Sequence, residues 1–144
     1  MTFREMTTGD IKSVLPFYID WYNKTDNASW TAETATKRMR RVLTMEDSYS
    51  LLAEESGQII GFIIGFFEQY DDGIVYRLDE ILVKEAFRNK GIGTALIGEL
   101  AARVREKGAM MIQLEAINDE MHNIFYDKLG FKDVVTHVLK VRML

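Results

Sequence analysis

The sequence predicts an α+β sandwich: a mixed, mostly antiparallel sheet flanked by about four helices, within one domain spanning residues 1–144. Three observations carry that expectation. Strand-like runs at 48–55, 58–70 and 74–83 follow one another through the turns Ser56-Gly57 and Asp71-Asp72-Gly73, which makes an antiparallel meander. Segments of helical period stand before and after that meander. The chain of 144 residues, 47% hydrophobic and 28% charged, suffices for a single good core without staples.

In chain order, Thr2–Met6 alternates enough for a short strand, and Thr7-Thr8-Gly9-Asp10 supplies turn and capping chemistry. Ile11, Val14, Leu15, Tyr18, Ile19 and Tyr22 fall at helical spacing, giving a first helix from Asp10 to about Tyr22. Pro16, the only proline, should bend it. Asn23–Trp30 is polar and turn-rich, hence a loop. Thr31 can cap a second helix through Met45, with Ala32, Ala35, Met39, Val42 and Leu43 inward and Lys37, Arg38, Arg40 and Arg41 outward. Beyond the meander, Ile92, Leu96, Leu100 and Val104 repeat every fourth residue on a helix that reaches Lys107 and that Gly108 can terminate. Ala109–Ile117 reads as a strand, Asn118–Leu129 as a helix, and Phe131–Leu144 as a last strand or strand pair. The order βααβββαβαβ is that of a mixed sandwich.

Composition narrows the function classes. Without cysteine there are no disulfides, thiolate metal sites or cysteine nucleophiles. A net charge of −4 argues against a nucleic-acid partner, which calls for a basic face. No apolar run approaches the roughly 18 residues of a membrane span, and Met1–Glu5 lacks a signal-peptide pattern. A cytoplasmic protein with no membrane partner is expected. His122 and His137 stand too far apart to argue for a metal, so none is expected.

The most informative stretch is Arg88-Asn89-Lys90-Gly91-Ile92-Gly93-Thr94, between an apolar strand and a long helix. Two closely spaced glycines let the backbone curl without obstructing a ligand. The unpartnered N–H groups of a helix start attract anions, phosphate above all. Neither common nucleotide fingerprint fits. Lys90 precedes the glycine pair, where a P-loop lysine follows it, and Leu96 stands where a Rossmann fingerprint needs a third glycine.

The spacing Val83-x-x-x-x-Arg88-x-x-Gly91-x-Gly93 resembles the acetyl-CoA signature of the GNAT superfamily of N-acetyltransferases, [Q/R]-x-x-G-x-[G/A] after a strand ending in valine. Farther on, Phe125-Tyr126-Asp127-Lys128-Leu129-Gly130-Phe131 resembles that family's F-Y-x-K-x-G-F signature. The order of elements also resembles the family fold, so the likeness covers essentially the whole chain. There are departures. Glu85 replaces a frequent proline, and His122 and Asp119 replace a frequent alanine and asparagine near the pantetheine arm.

The resemblance implies acetyl-CoA as co-substrate. Its pyrophosphate would lie on the N–H groups of Asn89, Lys90, Gly91, Ile92, Gly93 and Thr94, with Arg88 and Lys90 adding charge. The pantetheine arm would pair with the backbone of Leu82 and Val83, with Asn118 or Asn123 as its side-chain contact, and Lys128 could reach a phosphate. The Val83 amide would stabilise negative charge on the thioester oxygen. Tyr126 resembles the family's general acid for the departing thiolate. An amine acceptor must lose a proton, which at pH 7 costs a lysine-like ammonium roughly 4–5 kcal/mol. Asp79 and Glu80 are the base candidates. Strand alternation sends them to opposite faces unless a bulge intervenes, and a similar run in the superfamily's polyamine acetyltransferases favours the first acid, Asp79.

The acceptor wall in this fold would contain Trp21, Tyr22, Asp26 and Trp30, with Glu68, Asp71 and Asp72 near the turn before the catalytic strand. Acids with aromatics suit a small cationic amine such as a polyamine or aminoglycoside. Protein lysine or N-terminal acetylation, and non-catalytic acyl-CoA binding, stay open at this point. So does a homodimer through the last strands, an arrangement frequent among similar proteins.

Overall fold

Ser56 and Gly57 both adopt positive φ, 49° and 77°, as a two-residue turn between right-twisted strands requires. In this computed structural model, which describes residues 1–144, the turn joins β2 (Leu51–Glu55) to β3 (Gln58–Gln69). The turn at Asp71-Asp72-Gly73 leads into β4 (Ile74–Val83). β1 (Thr2–Glu5) pairs with β2, and β5 (Ala109–Gln113) runs parallel to β4. The sheet order is β1-β2-β3-β4-β5, with only the last pair parallel. The mixed, mostly antiparallel sheet expected from the meander is therefore present.

The chain forms two compact units, Met1–Leu114 and Glu115–Leu144. In the first, α1 (Ile11–Thr25) and α2 (Ala32–Leu43) pack on one face of the sheet. Val14, Tyr18, Ala35, Met39 and Val42 meet Leu52, Phe62, Ile64 and Leu82 there in one core cluster. α1 continues past the predicted stop near Tyr22, to Thr25. Pro16 sits exposed within it, where water can replace the lost hydrogen bond. α3 (Ile92–Glu106) takes the other face. Gly61, beside Phe62 and hence pointing the opposite way, would place a Cβ 3.1 Å from Leu96 Cδ1. Leu96 and Leu100 are fully buried, each worth about 1.5–3 kcal/mol of transfer free energy.

One irregularity in the sheet positions the site. The β3–β4 register runs Ile64↔Glu80 and then Gly65↔Leu78, leaving Asp79 as the extra residue of a β-bulge. Gly65 is needed at this point. A Cβ there would collide with the Tyr76 hydroxyl and the Arg77 carbonyl, and that hydroxyl donates to the Tyr49 carbonyl at 2.6 Å.

In the second unit, α4 (Glu120–Lys128) starts at Asp119, whose Oδ1 accepts from the His122 amide at 2.8 Å. It ends in a Schellman motif. The Phe131 amide donates to the Tyr126 carbonyl, the Gly130 amide to the Asp127 carbonyl, and Gly130 is left-handed at φ 86°. The rings of Tyr126 and Phe131 lie 5.6 Å apart, supplying the apolar contact such a stop favours. The glycine and phenylalanine of the second signature thus have a local purpose: they end α4 and fix its last turn.

The expected last strand is absent. Residues 131–144 carry no regular structure, and Val134, Val135, Val138, Leu139 and Val141 are exposed. Strand propensity is realised only against a pairing partner, and α4 is the one other regular element of this unit. The ladder of β5 likewise stops at Gln113, short of the predicted Ile117.

Candidate active site

β5 ends before β4 does. Their parallel register covers Ile74 to Arg77 against Ala109 to Gln113, and Arg77 Nη1 donates to Gln113 Oε1 at 2.8 Å where they part. Leu78–Val83 therefore keeps an edge that β5 does not pair. The Lys84 amide donates to the Ile60 carbonyl at 2.8 Å. By antiparallel alternation Leu82 then turns its peptide groups toward β3, while Ile81 and Val83 turn theirs to the open edge. Of the two residues expected to meet an extended ligand through their backbone, Val83 has the geometry for it and Leu82 does not.

The chain leaves β4 through a 3-10 turn at Glu85–Phe87 and reaches α3 through Asn89 and Gly91, both left-handed at φ 60° and 79°. Nothing lies within 4 Å of the place where a Gly91 Cβ would stand, and no side chain caps the first turn of α3. The amides of Ile92, Gly93 and Thr94 thus face an open, uncapped helix start, which fits a phosphate group. Exposed Lys90 has its Nζ 5.6 Å from the Phe87 ring. Arg88 departs from its expected part at the phosphates. Its guanidinium lies 3.4 Å from the centroid of Trp21, and its Nε donates to the Val83 carbonyl at 3.1 Å. It ties α1 to the end of β4, and burial pulls its pKa down.

The bulge overrides the alternation expected of the two acids. Asp79 and Glu80 both meet partners on α1 and α2. Glu80 accepts from the Tyr22 hydroxyl at 2.5 Å and from the Tyr18 hydroxyl at 3.4 Å, and Asp79 pairs with Arg38 at 3.3 Å. Burial pushes the Glu80 carboxyl above the ordinary carboxylate range, with Asp79 adding to the rise and Tyr22, Arg38 and Tyr18 opposing it. Burial and the Glu80 charge hold both tyrosines well above their usual range, so they stay protonated donors.

Beside this cluster lies an open cleft of about 560 Å³ between α2 and the sheet. Trp30, Phe66 and Val42 give it apolar walls, while Lys37, Arg38 and Arg41 face one carboxylate, Asp79. Arg38 and Asp79 also line a small pocket that holds Glu80 and Tyr18, so the two spaces adjoin. The expected acidic wall is not found here. Asp26 caps the C-terminus of α1, Glu68 accepts from the Tyr70 hydroxyl at 2.7 Å, and neither these two nor Asp71 and Asp72 line the cleft. Trp21 lies under Arg88, and Trp30 is held by Asn23 through two 2.9 Å hydrogen bonds.

Sequence reading missed Tyr18 and Arg38. Tyr18 counted only as an apolar helix position, although tyrosines at i and i+4 aim two hydroxyls at one point. Asn118, Asn123, Tyr126 and Lys128 belong to the second unit. There Asn123 Nδ2 donates to Asn118 Oδ1 at 3.0 Å, Tyr126 packs edge-on between Phe125 and Phe131, and exposed Lys128 sits in the last turn of α4.

Residues 15–131 match the family model of the acetyltransferase (GNAT) family. The chain belongs to the GNAT family. An uncharacterized protein of Bacillus subtilis (strain 168) is 36% identical over 87 residues, covering 60% of this chain and 50% of that protein. An uncharacterized N-acetyltransferase of Methanocaldococcus jannaschii is 26% identical over 144 residues, covering 92% of this chain and 61% of its own length. The chain thus spans one half to three fifths of these two relatives. A possible acetyltransferase from Clostridium difficile 630 shares the fold at a TM-score of 0.84 and 15% identity, over 99% of this chain and 97% of that one. The unpaired β4 edge beside the uncapped start of α3 offers backbone groups to an extended ligand and amides to a phosphate.

Proposed function

We propose that this GNAT protein moves an acetyl group from acetyl-CoA to a primary amine by direct attack in a ternary complex. One observation carries the reading. A half-buried carboxylate with a raised pKa, Glu80, stands three residues from Val83, whose amide points to the open edge of β4. Binding acyl-CoA alone would give no reason to keep such a group.

The pyrophosphate would rest on the amides of Asn89 to Thr94, and the pantetheine arm along Ile81 and Val83. The Val83 amide would hold the thioester oxygen as charge develops on it. Glu80 would take the ammonium proton. Its raised pKa makes it a stronger base than an ordinary carboxylate, and two tyrosine donors fix its orientation. Asp79, favoured over Glu80 by analogy with polyamine acetyltransferases, is already paired with Arg38 and becomes the supporting acid. Tyr126, on the motif that ends α4, would return a proton to the departing thiolate; the sequence signature supports that role.

The test is free-thiol release from acetyl-CoA across an amine panel. Turnover with at least one amine is expected. Tight CoA binding with no turnover on any amine would leave only the acyl-CoA-binding reading.

A further inference from the structure

We propose that the acceptor amine also carries an anionic group, carboxylate or phosphate, held by Lys37 and Arg41 in the cleft beside Glu80. This rests on the acetyltransferase reading and names its acceptor class.

The charge of the cleft opposes that of the chain. The whole sequence carries −4, yet Lys37, Arg38 and Arg41 converge on a space with one carboxylate, Asp79. Of the three cations only Arg38 is in an ion pair, with Asp79. Lys37 and Arg41, one turn apart on α2, present two cationic groups on neighbouring positions of one helix face. Glu33, one turn before Lys37 and the only acid on α2, forms no ion pair with it.

The cleft is placed for an acceptor. Its walls are apolar at Trp30 and Phe66, which suits the carbon skeleton between two charged ends. The Arg38–Asp79 pair lines both the cleft and the small pocket of Glu80. An amine at Glu80 would thus leave the remainder of its molecule among the cations of α2. A polyamine or aminoglycoside would bring further ammonium groups to that place, where they are repelled. A carboxylate or phosphate would find two unpaired cations.

The experiment measures acetyl transfer by the full chain to three short acceptors of similar length, propylamine, β-alanine and phosphoethanolamine, and to two larger polycations, spermidine and kanamycin. β-Alanine or phosphoethanolamine is expected to exceed propylamine and both polycations at least tenfold in kcat/KM. Which of the two leads decides between carboxylate and phosphate. In Lys37→Gln/Arg41→Gln, the ratio of kcat/KM for the better anionic acceptor to that for propylamine should fall at least tenfold. In Lys37→Glu/Arg41→Glu, the preference should turn toward spermidine. Preference of the wild type for propylamine, spermidine or kanamycin overturns the proposal. So does a ratio unchanged in both double variants.

A second readout separates this proposal from the reading it rests on. Trp30 lines the cleft, so anionic acceptors should change tryptophan fluorescence in the wild type and not in Lys37→Gln/Arg41→Gln. If no amine is acetylated but this difference is seen, the anion site stands and the transfer reading falls. If neither turnover nor the fluorescence difference is seen, both fall.

Discussion

The hydroxyl of Tyr22 donates to Glu80 at 2.5 Å, joining α1 to the strand residue next to the β4 bulge. This bond stabilises the ionised carboxylate against the burial that disfavours it. Removing the donor in Tyr22→Phe should therefore raise the Glu80 pKa further. The acid limb of kcat/KM against pH should move to higher pH while the alkaline limb stays in place. An unchanged acid limb would show that the limb belongs to another group.

Glu80→Gln should lower kcat at least about a hundredfold, the lower range for a positioned general base. The same variant has a stability signature with a definite sign. The folded protein binds the Glu80 proton more tightly than the unfolded chain, whose carboxyl titrates near the ordinary 4.5. The stability this group contributes is complete below that value and is lost as pH rises through the raised one. Compared with Glu80→Gln, the wild type should lose more Tm between pH 4 and pH 8. Thermal melts of both proteins across that range check it.

Gly65→Ala should destabilise by about 1–3 kcal/mol, because the new methyl overpacks against the Tyr76 hydroxyl and the Arg77 carbonyl. Urea denaturation measures this directly. A smaller loss would mean that the Tyr76 hydroxyl and the β4 backbone at Arg77 both give way at little cost.

Tyr126→Phe should lower kcat much more than it weakens acetyl-CoA binding, as expected of a proton donor to the leaving group. Equal losses in turnover and in CoA affinity, the latter measured by calorimetry, would assign Tyr126 to binding.

Much of this was legible in the sequence, because period and turn chemistry act locally. Ser56-Gly57 marked the hairpin, the spacing of Ile92, Leu96, Leu100 and Val104 marked α3, and Arg88–Thr94 marked the loop. The bulge at Asp79 left no trace, since two adjacent acids look the same whether or not alternation is broken. Arg38 and Arg41 read as a solvated face because the helical period says only that they lie away from Ala35 and Met39. It does not say that β3 and β4 enclose the space beside them. Nor does the apolar run after Phe131 disclose whether a strand is available to pair with it. These three misses concern relations between segments distant in sequence, where local pattern carries no information; Tyr18, four residues before Tyr22 on α1, did carry a local signal.

Thiol release from acetyl-CoA with an accepted amine, compared between the wild type and Glu80→Gln at saturating acetyl-CoA, tests Glu80 as the base most directly. With Glu80 as the base, the wild type should release one thiol per acetylated amine and the variant should be slower at least about a hundredfold. Its affinity for CoA should be retained. A variant that turns over within a few-fold of the wild type would rule out Glu80 as the base.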